Sequence, residues 1–194
     1  SGGGTLNVNG GGTLDGTKLT LTNGGSLNFN AASGASADKP TTSTISGKVE
    51  STADNALNIT LGRNTKVSFT DTTDGLILKN ASDTALDKIT LGGGSLNVAK
   101  ITADATNFDT TSGGVIDFTN DGSKISGDFT INSGTTLKFS SATNTAGTTF
   151  DNLTASGSSK LDFAQGTMKV TNLTTNASNI SFDKTNGGTI ELAN

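Results

Sequence analysis

The sequence predicts an all-β fold, a parallel β-solenoid of about 20 residues per coil. Three observations carry that expectation. The first is a recurring phrase, a Gly-rich turn followed by apolar–polar–apolar. It ends at Val8, Phe29, Phe69, Val98, Phe118, Phe139, Phe163 and Leu192. The second is the spacing of the first apolar residues: Leu6, Leu27, Val67, Leu96, Ile116, Leu137, Leu161 and Ile190 are separated by 21, 40, 29, 20, 21, 24 and 29 residues. Most gaps lie near one period or a multiple of it, and the longer ones read as insertions. The third is the alternation itself, which buries one face of a strand.

Strands come in pairs within a period. Lys18–Thr22 precedes Asn23-Gly24-Gly25 and then Leu27-Asn28-Phe29. Ala56–Leu61 leads through Gly62-Arg63-Asn64 to Val67-Ser68-Phe69, and Lys88–Leu91 through Gly92-Gly93-Gly94 to Leu96-Asn97-Val98. Asp128–Ile131 leads through Asn132-Ser133-Gly134 to Leu137-Lys138-Phe139. Such turns also suit hairpins and an antiparallel sandwich. A near-constant period favours the solenoid, because a sandwich does not require self-similar strands. Inward positions are expected at Leu6, Val8, Leu19, Leu21, Leu27, Phe29, Leu57, Ile59, Val67, Phe69, Ile89, Leu91, Leu96 and Val98. They continue at Ile116, Phe118, Phe129, Ile131, Leu137, Phe139, Leu161, Phe163, Ile180, Phe182, Ile190 and Leu192. Phe recurs as the second residue of the triplet, so rings of neighbouring coils should stack. Around nine coils would make a rod about 45 Å long at the usual strand spacing.

The whole chain, 1–194, reads as a single solenoid segment, since no shift in composition divides it. An excursion is expected near 31–44, where Ala-Ser-Gly-Ala-Ser-Ala and Pro40 break the pattern, because Pro cannot donate to a sheet ladder. A second excursion is expected over Asp71–Asp87, with Leu76-Ile77-Leu78 in the core, and a short helical turn is conceivable near Ala81–Lys88. Thr, Ser, Asn and Gly otherwise disfavour helix. The chain opens at Ser1 without a leader and stops just after a repeat phrase, which reads as a fragment or mature segment of a longer polypeptide.

Apolar residues make up 31% of the chain, a low value that could signal disorder. The formal net charge is only -4 and the apolar residues are periodic, which argues against a disordered tract or a flexible linker. A pI near 4.6, with Arg63 and twelve scattered Lys, gives no basic patch for nucleic acid. No apolar run approaches the roughly 20 residues of a membrane helix, so no direct membrane insertion by this segment is expected.

The chemistry of the side chains points away from an enzyme. There is no His and no Cys, so a Ser-His-Asp triad and the usual zinc sites cannot be built. No catalytic, cofactor-binding or metal residue is assigned, and no cofactor is implied. Asp117, Asp128 and Asp162 alternate with apolar residues and should face solvent. Stacked coils could bring such carboxylates together for glycan cleavage, a less favoured reading. Calcium would be the metal of choice at Asp71–Gly75 or Asn120-Asp121-Gly122, yet Asp turn preference explains both segments. Sequons at Asn58, Asn80, Asn152, Asn172, Asn176 and Asn179 are as frequent as chance gives. Thr-x-Thr pairs such as Thr20/Thr22 do not recur on one face at every coil, as an ice-binding surface would require.

The phrases Gly24-Gly25-Ser26-Leu27-Asn28-Phe29 and Gly93-Gly94-Ser95-Leu96-Asn97-Val98 resemble the passenger domains of Gram-negative autotransporters, including β-helical adhesins and vacuolating-cytotoxin-like passengers. The resemblance implies a right-handed parallel β-helix, export to the extracellular space or the bacterial outer-membrane surface, and a membrane barrel elsewhere in the parent chain. It carries no functional residues over. The expected role is adhesion or self-association through polar lateral faces, with a host surface glycan or protein, or another copy of the chain, as partner. The alternative is a structural extracellular module: a filament subunit, surface-layer element or stalk. A toxin or glycan-active segment ranks below both.

Overall fold

The computed structural model describes residues 4–21, 24–51, 55–79, 83, 85–142 and 146–193. The chain winds as a parallel β-helix with three sheets. The first sheet holds Gly4–Asn9, Gly25–Asn30, Leu57–Leu61, Lys88–Thr90 and Phe108–Asp109. The second holds Gly12–Leu14, Thr41–Ile45, Thr65–Phe69, Ser95–Val98, Gly114–Phe118, Thr135–Phe139, Lys160–Phe163 and Ile180–Phe182. The third holds Lys18–Leu21, Lys48–Ser51, Leu76–Ile77, Ile101–Asp104, Lys124–Ile131, Thr148–Ala155, Thr167–Thr174 and Thr189–Leu192. Every strand pairing among the described residues is parallel, coil on coil. The second sheet has one strand per coil, so the described residues make eight coils rather than about nine.

The first sheet ends at Phe108–Asp109, and the strands of the third sheet lengthen from Lys124–Ile131 onward. In Lys124–Ile131 the register shifts between Ile125 and Asp128, and Gly127 takes φ +81° at the bend. The strand turns the corner without leaving the ladder, and Phe129 lands 5.1 Å from Phe108. Thr148–Ala155 and Thr167–Thr174 repeat the bend, following one another in register.

The core is a set of columns running along the axis. In the second sheet one column reads Leu14, Ile45, Phe69, Val98, Phe118, Phe139, Phe163, Phe182. Ring centroids are 5.4 Å apart for Phe118–Phe139 and 4.8 Å for Phe139–Phe163, with planes within 18°. The rings therefore stack at the ladder's own spacing, as the repeated Phe predicts. Phe150 of the third sheet meets Phe118 edge-on at 5.8 Å and so joins two columns.

The structure corrects several expectations. The recurring phrase marks three faces, not one: Leu6/Val8 and Leu27/Phe29 lie in the first sheet, the five copies from Val67/Phe69 to Leu161/Phe163 in the second, and Ile190/Leu192 in the third. The phrase encodes a corner followed by a half-buried strand, and every corner needs that. In the second sheet, Leu161 is followed by Ile180, 19 residues on, not by Ile190. The excursion covers 31–40, since Thr41–Ile45 rejoins the second sheet with Thr41, Ser43 and Ile45 all buried. Leu76–Ile77 is a strand with Leu76 and Leu78 in the core; of 81–88, positions 81, 82 and 84 lie outside the described residues, and Lys88 opens a strand. Two short 3-10 turns occur instead at Ala105–Asn107 and Ala177–Asn179. Leu6, Phe182 and Leu192 follow inward columns but are exposed, because no coil covers the two terminal ones.

Candidate functional site

The outward face of the second sheet carries the most built surface feature. Strand alternation points every second residue out, and register aligns those residues from coil to coil. Ser68, Asn97, Asp117, Lys138 and Asp162 form one row, and Lys66, Ser95, Val115, Thr136 and Lys160 run beside it. Over this face lies a groove of about 420 Å³, lined by Lys66, Asn97, Asp117, Lys138 and Asp162, with Ala37 and Pro40 of the excursion as one wall.

The excursion is held against the helix by defined bonds. Ala32 N–H donates to Thr41 Oγ1 at 2.7 Å, and Asn64 Nδ2 donates to the Ala35 carbonyl at 3.0 Å. Asn64 itself sits at φ +60°, a left-handed turn that Asn tolerates better than most residues. Ser36 and Lys39 close the loop on each other with two backbone bonds of 3.2 Å.

Asp117 corrects the expectation of a solvated carboxylate. It points outward, yet it is 9% exposed. Burial raises its pKa above the ordinary carboxylate value, against a hydrogen bond from Ser140 and the attraction of Lys138 and Lys66. Ser140 Oγ donates to Asp117 Oδ1 at 2.6 Å. Neighbours in the row hide the side chain, a crowding that alternation alone does not reveal. Asp162 is half-buried and Asp128 is exposed. Asp117 and Asp162 are two coils apart with Lys138 between them in the row.

Other polar side chains form ladders of their own. Asn28 donates to Asn7 at 2.9 Å and Asn30 to Asn9 at 2.8 Å. Asn152 donates to Asp128 and Asn172 to Asn152, each at 2.6 Å. Two of the sequon asparagines are therefore engaged in a ladder, and Asn179 is buried.

Of the two calcium candidates, the Asp71 segment forms a side-chain-capped turn. Asp71 Oδ1 accepts backbone N–H bonds from Thr73, Asp74 and Gly75 at 2.8–2.9 Å. The amides of Gly75 and Asp74, in that order, lower its pKa most. Asp183 repeats the device with Thr185 and Asn186, a kinship written as Asp-x-Thr-Asp/Asn-Gly in both segments. Asp121 Oδ2 accepts from Ala146 N–H at 3.3 Å. Among the described residues no three His, Cys, Asp or Glu gather as metal ligands.

Buried polar pins were missed by sequence reasoning. Asp87, fully buried, accepts from Leu57 N–H at 2.7 Å and Lys79 N–H at 2.9 Å, closing the insertion it ends. Asn107 donates to the Asp87 carbonyl at 2.8 Å and accepts from Asp104 N–H at 2.7 Å. The available signal was the capping box spelled by Asp104 and Asn107.

Comparison with protein-family models, curated proteins and solved structures finds no match to this chain. No helix among the described residues is long and apolar enough to cross a membrane.

Proposed function

We propose that this chain is a surface-displayed bacterial β-helical module that acts in adhesion or self-association through its polar lateral faces. One observation carries the reading: the grooved outer face of the second sheet, where every coil from Thr65–Phe69 to Lys160–Phe163 contributes a hydrogen-bonding side chain and charges of both signs occur along the rows. A surface repeating at about 4.8 Å suits an extended partner lying along the rod, which can satisfy successive coils in turn. A polyhydroxylated glycan on a host surface fits this chemistry, because Ser, Thr, Asn, Asp and Lys both donate to and accept from hydroxyl groups. A lateral second copy would use the same groups. The resemblance to autotransporter passengers supports export and surface display.

The test is a glycan-array and bead-aggregation comparison of the wild type with a Lys138→Glu, Asn97→Arg double variant. Both side chains point outward, so the fold should persist. Loss of binding or aggregation by about tenfold is expected, corresponding to about 1.4 kcal/mol. Unchanged binding by a folded double variant, or no binding by the wild type, overturns the reading.

A further inference from the structure

The lysines of this rod divide by face. On the third sheet Lys18 and Lys48 both pair with Glu50, and Lys169 pairs with Glu191 at 3.5 Å. Lys79 pairs with Asp87 at 4.0 Å. Lys88 Nζ donates to the Thr106 carbonyl at 2.7 Å, and Lys100 Nζ donates to the Thr73 carbonyl. The second sheet differs. Among the described residues, the ammonium groups of Lys66, Lys138 and Lys160 make no salt bridge and donate to no protein oxygen. Lys39 of the excursion shares that state, and elsewhere only Lys124 and Lys184 do.

A single solvated lysine is ordinary. Three on one face, beside a groove walled by a loop, are a local departure on a chain of formal net charge -4. Two acids share the face. Asp117 is 9% exposed and already accepts from Ser140, and Asp162 is half-buried. Order along the groove adds to this. Lys66 stands at one end and Lys138 and Lys160 at the other, and the coils between offer Asn97 and Asp117. Lys66 lies three ladder steps from the strand of Lys138, about 14 Å at the usual strand spacing. All of these coils are interior, bracketed in the same sheet by Thr41–Ile45 and Ile180–Phe182.

An extended pyranose chain advances by nearly one ladder step per sugar. Lying along the axis, it presents about one sugar to each coil. Acidic sugars would then meet the lysines, and neutral ones would put hydroxyl groups on Asn97 and the partly hidden carboxylates. Lys suits this role, being a point charge on a flexible stem that reaches a carboxylate without demanding one geometry. Nucleic acid fits less well, since a phosphate at every step would bring charge against Asp117 and Asp162.

We propose that the groove takes a linear polysaccharide bearing uronic-acid sugars, with neutral sugars between the acidic ones, and that Lys66 and Lys138 select it by charge. The inference rests on the glycan-binding reading above and names the class of glycan.

The experiment is calorimetric titration of the 194-residue chain with two forms of one polyuronate oligosaccharide, partly and fully methyl-esterified. They share a backbone and differ in charge. The partly esterified form should bind about tenfold more tightly, and rising salt should erase the difference. A Lys66→Gln, Lys138→Gln double variant should lose that preference and bind the fully esterified form as the wild type does. Neither lysine has a protein partner to lose, so its β circular-dichroism signal should be unchanged. Replacing both by Arg should keep the preference. Lys124→Gln, which removes a charge from the third-sheet face, should leave it intact. Equal affinity of the wild type for both forms overturns the proposal while leaving glycan binding standing. A folded double variant that keeps the preference overturns it, as does tighter binding of a single-stranded DNA oligonucleotide. Binding of neither form overturns it too, and aggregation of wild-type beads would then leave self-association as the surviving reading.

Discussion

Gly75 stands at the corner entering the third sheet, with φ +68° and no room for a Cβ, which would run into the Lys100 carbonyl. An L side chain costs roughly 1–2 kcal/mol in that conformation, and overpacking adds roughly 1–3 kcal/mol. Gly75→Ala should therefore lower unfolding free energy by about 2–4 kcal/mol in denaturant titration, whereas Gly34→Ala, in open space, should cost only the conformational part. Two carboxylates have opposite pH signs. Asp71 is held below its ordinary pKa by backbone amides, so its contribution is present above the unfolded value and is lost as pH falls through the folded one. Asp117 is raised by burial. Its contribution is full below the unfolded pKa and declines as pH climbs through the folded one. Asp117→Asn keeps an acceptor for Ser140 and should abolish that decline, leaving the variant more stable than wild type at neutral pH. Unfolding curves across the acidic-to-neutral range check this, and a wild type that gains stability through the same window specifically by ionising Asp117 would refute it.

At the scale of elements, the stacked Phe column is the strongest packing feature. Phe139 is fully buried, with rings on both sides and Phe150 edge-on at 6.3 Å. Phe139→Ala should cost about 3–5 kcal/mol, the usual range for a buried aromatic truncated to Ala. A loss below 1 kcal/mol by chemical denaturation would contradict the column. The strands of this column were legible from the sequence because period-two alternation and Gly-rich corners sit in each phrase. Thr41–Ile45 was not, because its inward positions begin with Thr41 and Ser43. Those residues look like loop in a sequence and are accommodated because neighbouring strands Gly12–Leu14 and Thr65–Phe69 bracket them. The long bent strands such as Lys124–Ile131 were equally hidden. A Gly inside a strand pattern announces a bend but does not say that the ladder continues through it.

Across the whole molecule, stability should grade from the ends to the middle. Interior coils are covered on both sides, while the first and last are covered on one. Amide exchange should be slowest in Ser95–Val98, Gly114–Phe118 and Thr135–Phe139, and fastest in Gly4–Asn9 and Thr189–Leu192, following local opening energies. Uniform protection from end to end would contradict that grading. The sequence alone determined the class of fold, the coil period and most of the core. Those follow from local alternation and corner residues, repeated until stacking is the economical way to bury them. Tertiary structure decided which face each phrase occupies, that Asp117 is hidden, and that a loop and a polar row make a groove. Each of these depends on residues brought side by side by coil lengths that vary from 19 to 32 residues, and a one-dimensional pattern does not contain which positions such insertions bring into register.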